Sequence, residues 1–187
     1  MDFRILEGEN NHMTIAQAQD RIRLVTGSAP VRFLYVSVPE QSLTVVENGT
    51  ETRKYPVSTS KYGVGNRENS LMTPPGVHRL VEKYGHGAPA GRIFRDRLDT
   101  GETWKIGAPG APGEDLILTR ILRLEGLEDG INRGPGIDSY ERYIYIHGTN
   151  NERSIGSPGS HGCVCMTSRD VVELFERAPE GTIVFID

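Results

Sequence analysis

The sequence predicts a mainly β fold, a sandwich or barrel-like sheet carrying a few short helices. Three observations lead there. About seven or eight strand-like segments follow one another, separated by turn signals. A helical apolar period occurs in only two stretches, one near each end of the chain. The 22 Gly and 11 Pro residues supply the many turns that such a fold needs. With 187 residues the chain can bury one sizeable core. We expect an N-terminal extension with a short helix, residues 1–30, followed by one domain, residues 31–187.

Each element has its own signature. "TIAQAQDRIRLV" places Ile15, Ala18, Ile22 and Val25 on one helical face, with Thr14 as cap. "RFLYVSV" and "QSLTVVE" read as two strands joined at Pro39-Glu40. "NGT" at 48–50 is a hairpin turn, and "ETRKYPVS" is the third strand of an antiparallel meander. Asn48-Gly49-Thr50 also fits a glycosylation acceptor, but the turn explains it sufficiently. Residues 59–76 are polar and rich in Gly and Pro, a long loop before the strand "GVHRLVEKY". Residues 85–114 form a second loop-rich region, and loops of this length frame sites. "DLILTRILRLEGL" predicts one or two strands, and "ERYIYIHG" a strand with His147 at its end. "TSRDVVELFERAPEG" predicts a helix: Thr167 and Asp170 cap it, Val171, Val172, Leu174 and Phe175 line it, Pro179 and Gly181 stop it. "TIVFI" closes the chain as a strand.

Several function classes are disfavoured. A formal net charge of −4 without a Lys/Arg block argues against nucleic-acid binding. No apolar run approaches the ~18 residues needed to span a bilayer. The N-terminus lacks the pattern of a secretory signal, so a cytoplasmic location is expected, with an extracytoplasmic one, after removal of a signal, as the alternative. Two cysteines cannot staple a chain of this size. "GSPGS" is no nucleophile elbow, and "GVGNRENS" no phosphate loop. His12, His78 and His86 have no partner that sequence identifies.

Chemistry concentrates in "SHGCVCM", residues 160–166. Cys163 follows a glycine and lies just ahead of the predicted helix, whose N-terminus would favour a thiolate. Gly162 lets the backbone turn closely, and the amides of Gly162 and Cys163 can face a developing oxyanion. His147, at the end of a strand, is the candidate base of a Cys–His pair for acyl transfer. Three other readings stay open on these residues. His161, Cys163, Cys165 and His147 could surround tetrahedral zinc, although paired zinc cysteines ordinarily have a wider spacing. Either cysteine could be plain core, a reading that suits Cys165 better. A Cys163–Cys165 disulfide would close a very small ring.

The longer stretch "HGTNNERSIGSPGSHGCVCM" resembles the signature of the YkuD-type L,D-transpeptidase catalytic domain. "YPVSTSKYG" and "MTPPGVHRL" resemble two upstream segments of that family, so the likeness covers residues 31–187. It implies a mostly β fold with the site at one end of the sheet. It also implies Cys163 as nucleophile, His147 as general base and Gly148 as the residue whose carbonyl orients that histidine. Ser160, His161 and Gly162 match the remaining motif positions, with an oxyanion hole near Gly162 and Cys163. The implied substrate is the peptidoglycan stem, attacked between a diamino acid and D-Ala; carbapenems are the expected covalent inhibitors, and no metal or organic cofactor is needed. The chain departs from the family at Cys165, where arginine is usual; Arg67, Arg92, Arg95 and Arg153 are candidate substitutes for binding substrate. Together with the missing signal, this departure leads to the expectation of a cytosolic L,D-carboxypeptidase of muropeptide recycling. An exported transpeptidase making 3→3 cross-links is the alternative, and a non-catalytic wall-binding or zinc-stabilised module the third reading.

Overall fold

A computed structural model describes residues 13–108 and 115–187. The chain opens with α1 (Ile15–Thr26), capped by Thr14, whose hydroxyl accepts from the Gln17 amide while the Gln17 side chain reaches back. Strands β1 (Arg32–Ser37), β2 (Ser42–Glu47) and β3 (Thr50–Pro56) form the expected meander. Asn48 and Gly49 both have positive φ, as a two-residue turn between twisted strands requires. Next come β4 (Gly76–Tyr84), β5 (Arg92–Arg95), β6 (Leu98–Thr103), β7 (Ile117–Gly126) and β8 (Tyr145–Thr149). A short 3₁₀ turn (Glu152–Ser154), β9 (Val164–Met166), α2 (Ser168–Arg177) and β10 (Ile183–Ile186) complete the chain.

The ten strands of the described residues hydrogen-bond into one sheet, in the order β3-β2-β1-β10-β4-β7-β5-β6, with β8 pairing β7 and β9. The C-terminal strand β10 runs parallel to β1, and β9 parallel to β8; the remaining pairs are antiparallel. Strand alternation then sorts the apolar side chains into two sets. Leu34, Val36, Val184 and Ile186 point into the main core, which they share with Ile146, Val164, Met166 and the α2 residues Val171, Leu174 and Phe175. Strands β1 and β10 from the middle of the order thus share one core with β8 and β9, which branch from β7, as the two faces of a sandwich do. Phe33, Tyr35 and Phe185 point the other way, where Ala18 and Ile22 of α1 cover them.

Two details correct the expectations. The region 85–114 contains the β5–β6 hairpin where a loop was expected; its residues 109–114 lie outside the described residues, as does His12. Cys163 does not abut a helix: β9 and the cap residue Thr167 separate it from α2. A helix N-terminus therefore contributes nothing to its acidity.

Candidate active site

The loop before β9 is locked by its own hydroxyls and those of a neighbouring loop. Ser160 Oγ donates to the Cys163 carbonyl at 2.6 Å and accepts from the Gly162 amide at 3.3 Å. Thr73 Oγ1 donates to the Gly162 carbonyl at 3.0 Å, and the Ser160 amide donates to Thr59 O at 3.0 Å. Gly162 adopts φ +127°, open to glycine and strained for any side chain. This chain of bonds fixes where Cys163 emerges from the backbone.

His147 lies in β8, paired with Ile121 of β7 beside a register shift and with Cys165 of β9. Its Nδ1 lies 2.8 Å from the Gly148 carbonyl, so Nδ1 carries the proton and donates, which leaves Nε2 as a bare acceptor. Burial pulls the imidazole pKa below its ordinary value, opposed by that carbonyl and by Asp115, so the ring is neutral at pH 7. A Cβ on Gly148 would stand 2.7 Å from the Leu118 carbonyl; only glycine fits between β8 and β7 here.

Among the described residues, the hydrogen-bond partners of the His147 ring are Gly148 O and the Cys165 thiol, 3.7 Å from Nε2. The contact follows from register, because His147 and Cys165 are partners across the parallel β8–β9 pair. Cys163 sits two residues earlier, beside Tyr145, whose amide donates to Sγ at 3.4 Å. Imidazole and thiol are therefore diagonal neighbours on one face of the β8–β9 pair. Both also neighbour Ile121, the β7 partner of His147 and a member of the cluster on which Cys163 packs. The structure thus brings His147, Gly148 and Cys163 into one place, with Nε2 resting against the other thiol.

Cys163 is half-buried on Phe94, Ile121 and Tyr145, and Cys165 is fully buried; both are free thiols. Burial pushes the Cys163 thiol up to about 12, with Asp115 adding to the rise and the Tyr145 amide and Arg142 opposing it. Burial likewise holds Cys165 well above the ordinary thiol value. Neither is a preformed thiolate, so reactivity at 163 requires a base. Arg142 keeps its guanidinium near the thiol by donating to Met72 O at 2.7 Å and Gly65 O at 3.2 Å.

Two concavities flank this position. One, of about 450 Å³, is walled by Tyr84, Ala88, Phe94, Arg92, Arg97 and Asp99. Phe94, Tyr84 and Ala88 belong equally to the cluster that supports Cys163. The other, of about 210 Å³, is walled by Leu71, Arg142, Tyr143, Ile144 and His161. His161 does not bind the thiol; its Nδ1 meets Asp115 at 2.8 Å. Arg67, Arg95 and Arg153 are exposed and line neither concavity, while Arg92 lines the first and pairs with Asp99 at 3.4 Å. Among the described residues no group of three or more His, Cys, Asp or Glu side chains is arranged to hold a metal. Tyr145, Arg97, Arg142 and Asp115 escaped the sequence reading, because none stands inside the motif that marks the thiol.

The family model of the YkuD L,D-transpeptidase catalytic domain matches residues 31–186. A Bacillus licheniformis protein, YkuD, named as an inferred L,D-transpeptidase, is 56% identical over 46 residues, 25% of this chain and 28% of that protein. The fold is similar to that of an L,D-transpeptidase from Mycobacterium smegmatis, with TM-score 0.52, 16% identity, and coverage of 84% of this chain and 58% of the other. It is equally similar to LdtMt1, an L,D-transpeptidase solved in complex with imipenem, with TM-score 0.52, 20% identity, and coverage of 84% and 59%. This chain thus spans less than two thirds of each of these relatives. The resemblance read from "SHGCVCM" and its upstream segments therefore holds over most of the chain, which belongs to the YkuD family of L,D-transpeptidase catalytic domains.

Proposed function

We propose that this protein is a cysteine acyl-transfer enzyme of peptidoglycan stem peptides, with water as the acceptor: a cytoplasmic L,D-carboxypeptidase that trims tetrapeptides. One observation carries the reading. A half-buried thiol on a rigid loop lies between two concavities, with a neutral imidazole in diagonal reach whose tautomer is fixed by the Gly148 carbonyl.

The chemistry follows from these groups. Nε2 of His147 turns from Cys165 to Cys163 and takes the thiol proton as sulfur attacks the carbonyl of the diamino acid. The Gly162 amide is already spent on Ser160 Oγ, which leaves the Cys163 amide as the motif's oxyanion donor. As the tetrahedral intermediate collapses, imidazolium returns its proton to the amine of departing D-Ala, and a thioester remains. Neutral His147 then takes a proton from water, hydroxide adds to the thioester, and the tripeptide leaves with the thiol restored.

A second free thiol beside the base, Cys165, suits a reducing compartment, which supports the recycling role. The concavity on the His161 side favours one further reading, an amine acceptor and a 3→3 cross-link. Among the described residues no helix is long and apolar enough to cross a membrane. Because LdtMt1 was solved with imipenem, we expect carbapenems to acylate Cys163 here.

Incubation with one defined tetrapeptide, with and without an amine acceptor, tests the proposal. D-Ala and tripeptide are the expected products in both cases. Cross-linked dimer as main product would move the protein to the second reading, and the absence of D-Ala release would overturn both.

A further inference from the structure

The β5–β6 hairpin turns at Asp96 and Arg97, with φ of 49° and 69°. Two adjacent left-handed residues suit Asn-Gly or Gly, and arginine is a poor choice on backbone grounds. Its side chain explains the exception. Arg97 Nη1 donates to Tyr145 Oη at 2.9 Å, and the guanidinium carbon sits 5.1 Å from the centroid of Tyr143. The group is thus held in place before any ligand arrives, so less rotamer entropy is lost on binding. It lines the larger concavity, and no described carboxylate pairs with it. The neighbouring charges there, Arg92 and Asp99, largely cancel each other. Among the described residues Arg97 is the cation of that wall without a carboxylate partner, with donors to spare for a forked carboxylate contact.

Tyr145 gives the site its scale. Its amide touches Cys163 Sγ and its hydroxyl touches Arg97, so one tyrosine length separates nucleophile and guanidinium. In a stem peptide the carboxylate of the departing D-Ala is too near the scissile carbonyl for that span. The far carboxylate of a diamino diacid, at the end of its aliphatic side chain, matches it. We infer that Arg97 is a specificity-determining residue that receives the side-chain carboxylate of a diamino diacid in the acyl-donor stem. This inference rests on the proposed function and names which stems that function accepts.

Calorimetric titration of the Cys163→Ala protein separates the two. Its probes are tetrapeptide stems with diaminopimelate, with diaminopimelate amidated at the side-chain carboxylate, or with lysine at the third position. The free carboxylate should bind about tenfold or more tightly than the other two, the worth of a charged fork. Arg97→Gln should bring all three to one affinity, while Arg97→Lys, which keeps charge without the fork, should retain part of the preference. An unchanged ratio in Arg97→Gln, or equal weakening of all three stems, would overturn the assignment. If that occurs while wild-type protein still releases D-Ala, the assignment alone falls; if no stem binds and none is cut, the proposed function falls with it.

Discussion

Neither member of the reactive pair carries charge at rest, since burial raises the Cys163 thiol and lowers the His147 imidazole. The proton must therefore move during attack, and the pH profile should report the imidazole. A base works only when unprotonated, so activity should be lost as pH falls through its folded-state value, which lies below 6.5. The rate of stem cleavage should be level at neutral pH, with its acid limb centred below that value; a limb above 7 would contradict it. Cys165 sharpens the test. Its thiol donates to Nε2 and so favours the neutral ring. Cys165→Ala should move the acid limb upward, whereas Cys165→Ser, which keeps a donor, should leave it near wild type. Complete loss of activity in Cys165→Ala would show that this thiol does more than hold the ring. That Cys163, His147 and Gly148 lie near one another was legible because one stretch of sequence, residues 147–166, carries them all. Arg97 and Tyr145 were not, since their partnership arises only where a hairpin turn meets a strand distant in sequence.

Elements show the same division. The helix α1 was readable because Ala18 and Ile22 fall on one buried stripe behind a capping threonine. The β5–β6 hairpin was not, because β6 is almost wholly exposed and shows no alternation, and its turn lacks glycine. Strand β7 read as one or two strands for a physical reason: the pairing with β8 shifts between Leu118 and Ile121, where Thr119 adopts φ 70° and breaks the period. On β4, His78 is not idle. It is fully buried between Gly76 O and Ser139 Oγ, and burial lowers its pKa to about 4. The unfolded chain then binds a proton between 6.5 and about 4 that the folded chain refuses. Stability from this group is complete above 6.5, falls as pH drops across that window, and changes no further below it. The loss is on the order of 3 kcal/mol. Urea unfolding at several pH values should show a shallower acid decline in His78→Gln than in wild type; equal slopes would contradict the assignment.

At the scale of the molecule, one folded sheet explains why the site exists where it does. Strand β7 has three partners, β4, β5 and β8, and this branch point lets the edge pair β8–β9 present its residues beside the β5–β6 hairpin. Alternating apolar residues made the β class predictable, but a branch in pairing leaves no mark in any one segment. The proposed chemistry depends on the branch, because it sets His147 and Cys163 on one face with Tyr145 between thiol and arginine. The most direct test of the central claim, a thiol at 163 activated by the imidazole at 147, is intact-protein and peptide mass spectrometry after exposure to a carbapenem. The account predicts a single adduct on Cys163, formed about 10²-fold more slowly in His147→Ala. An adduct on Cys165, or an unchanged rate without the imidazole, would contradict it.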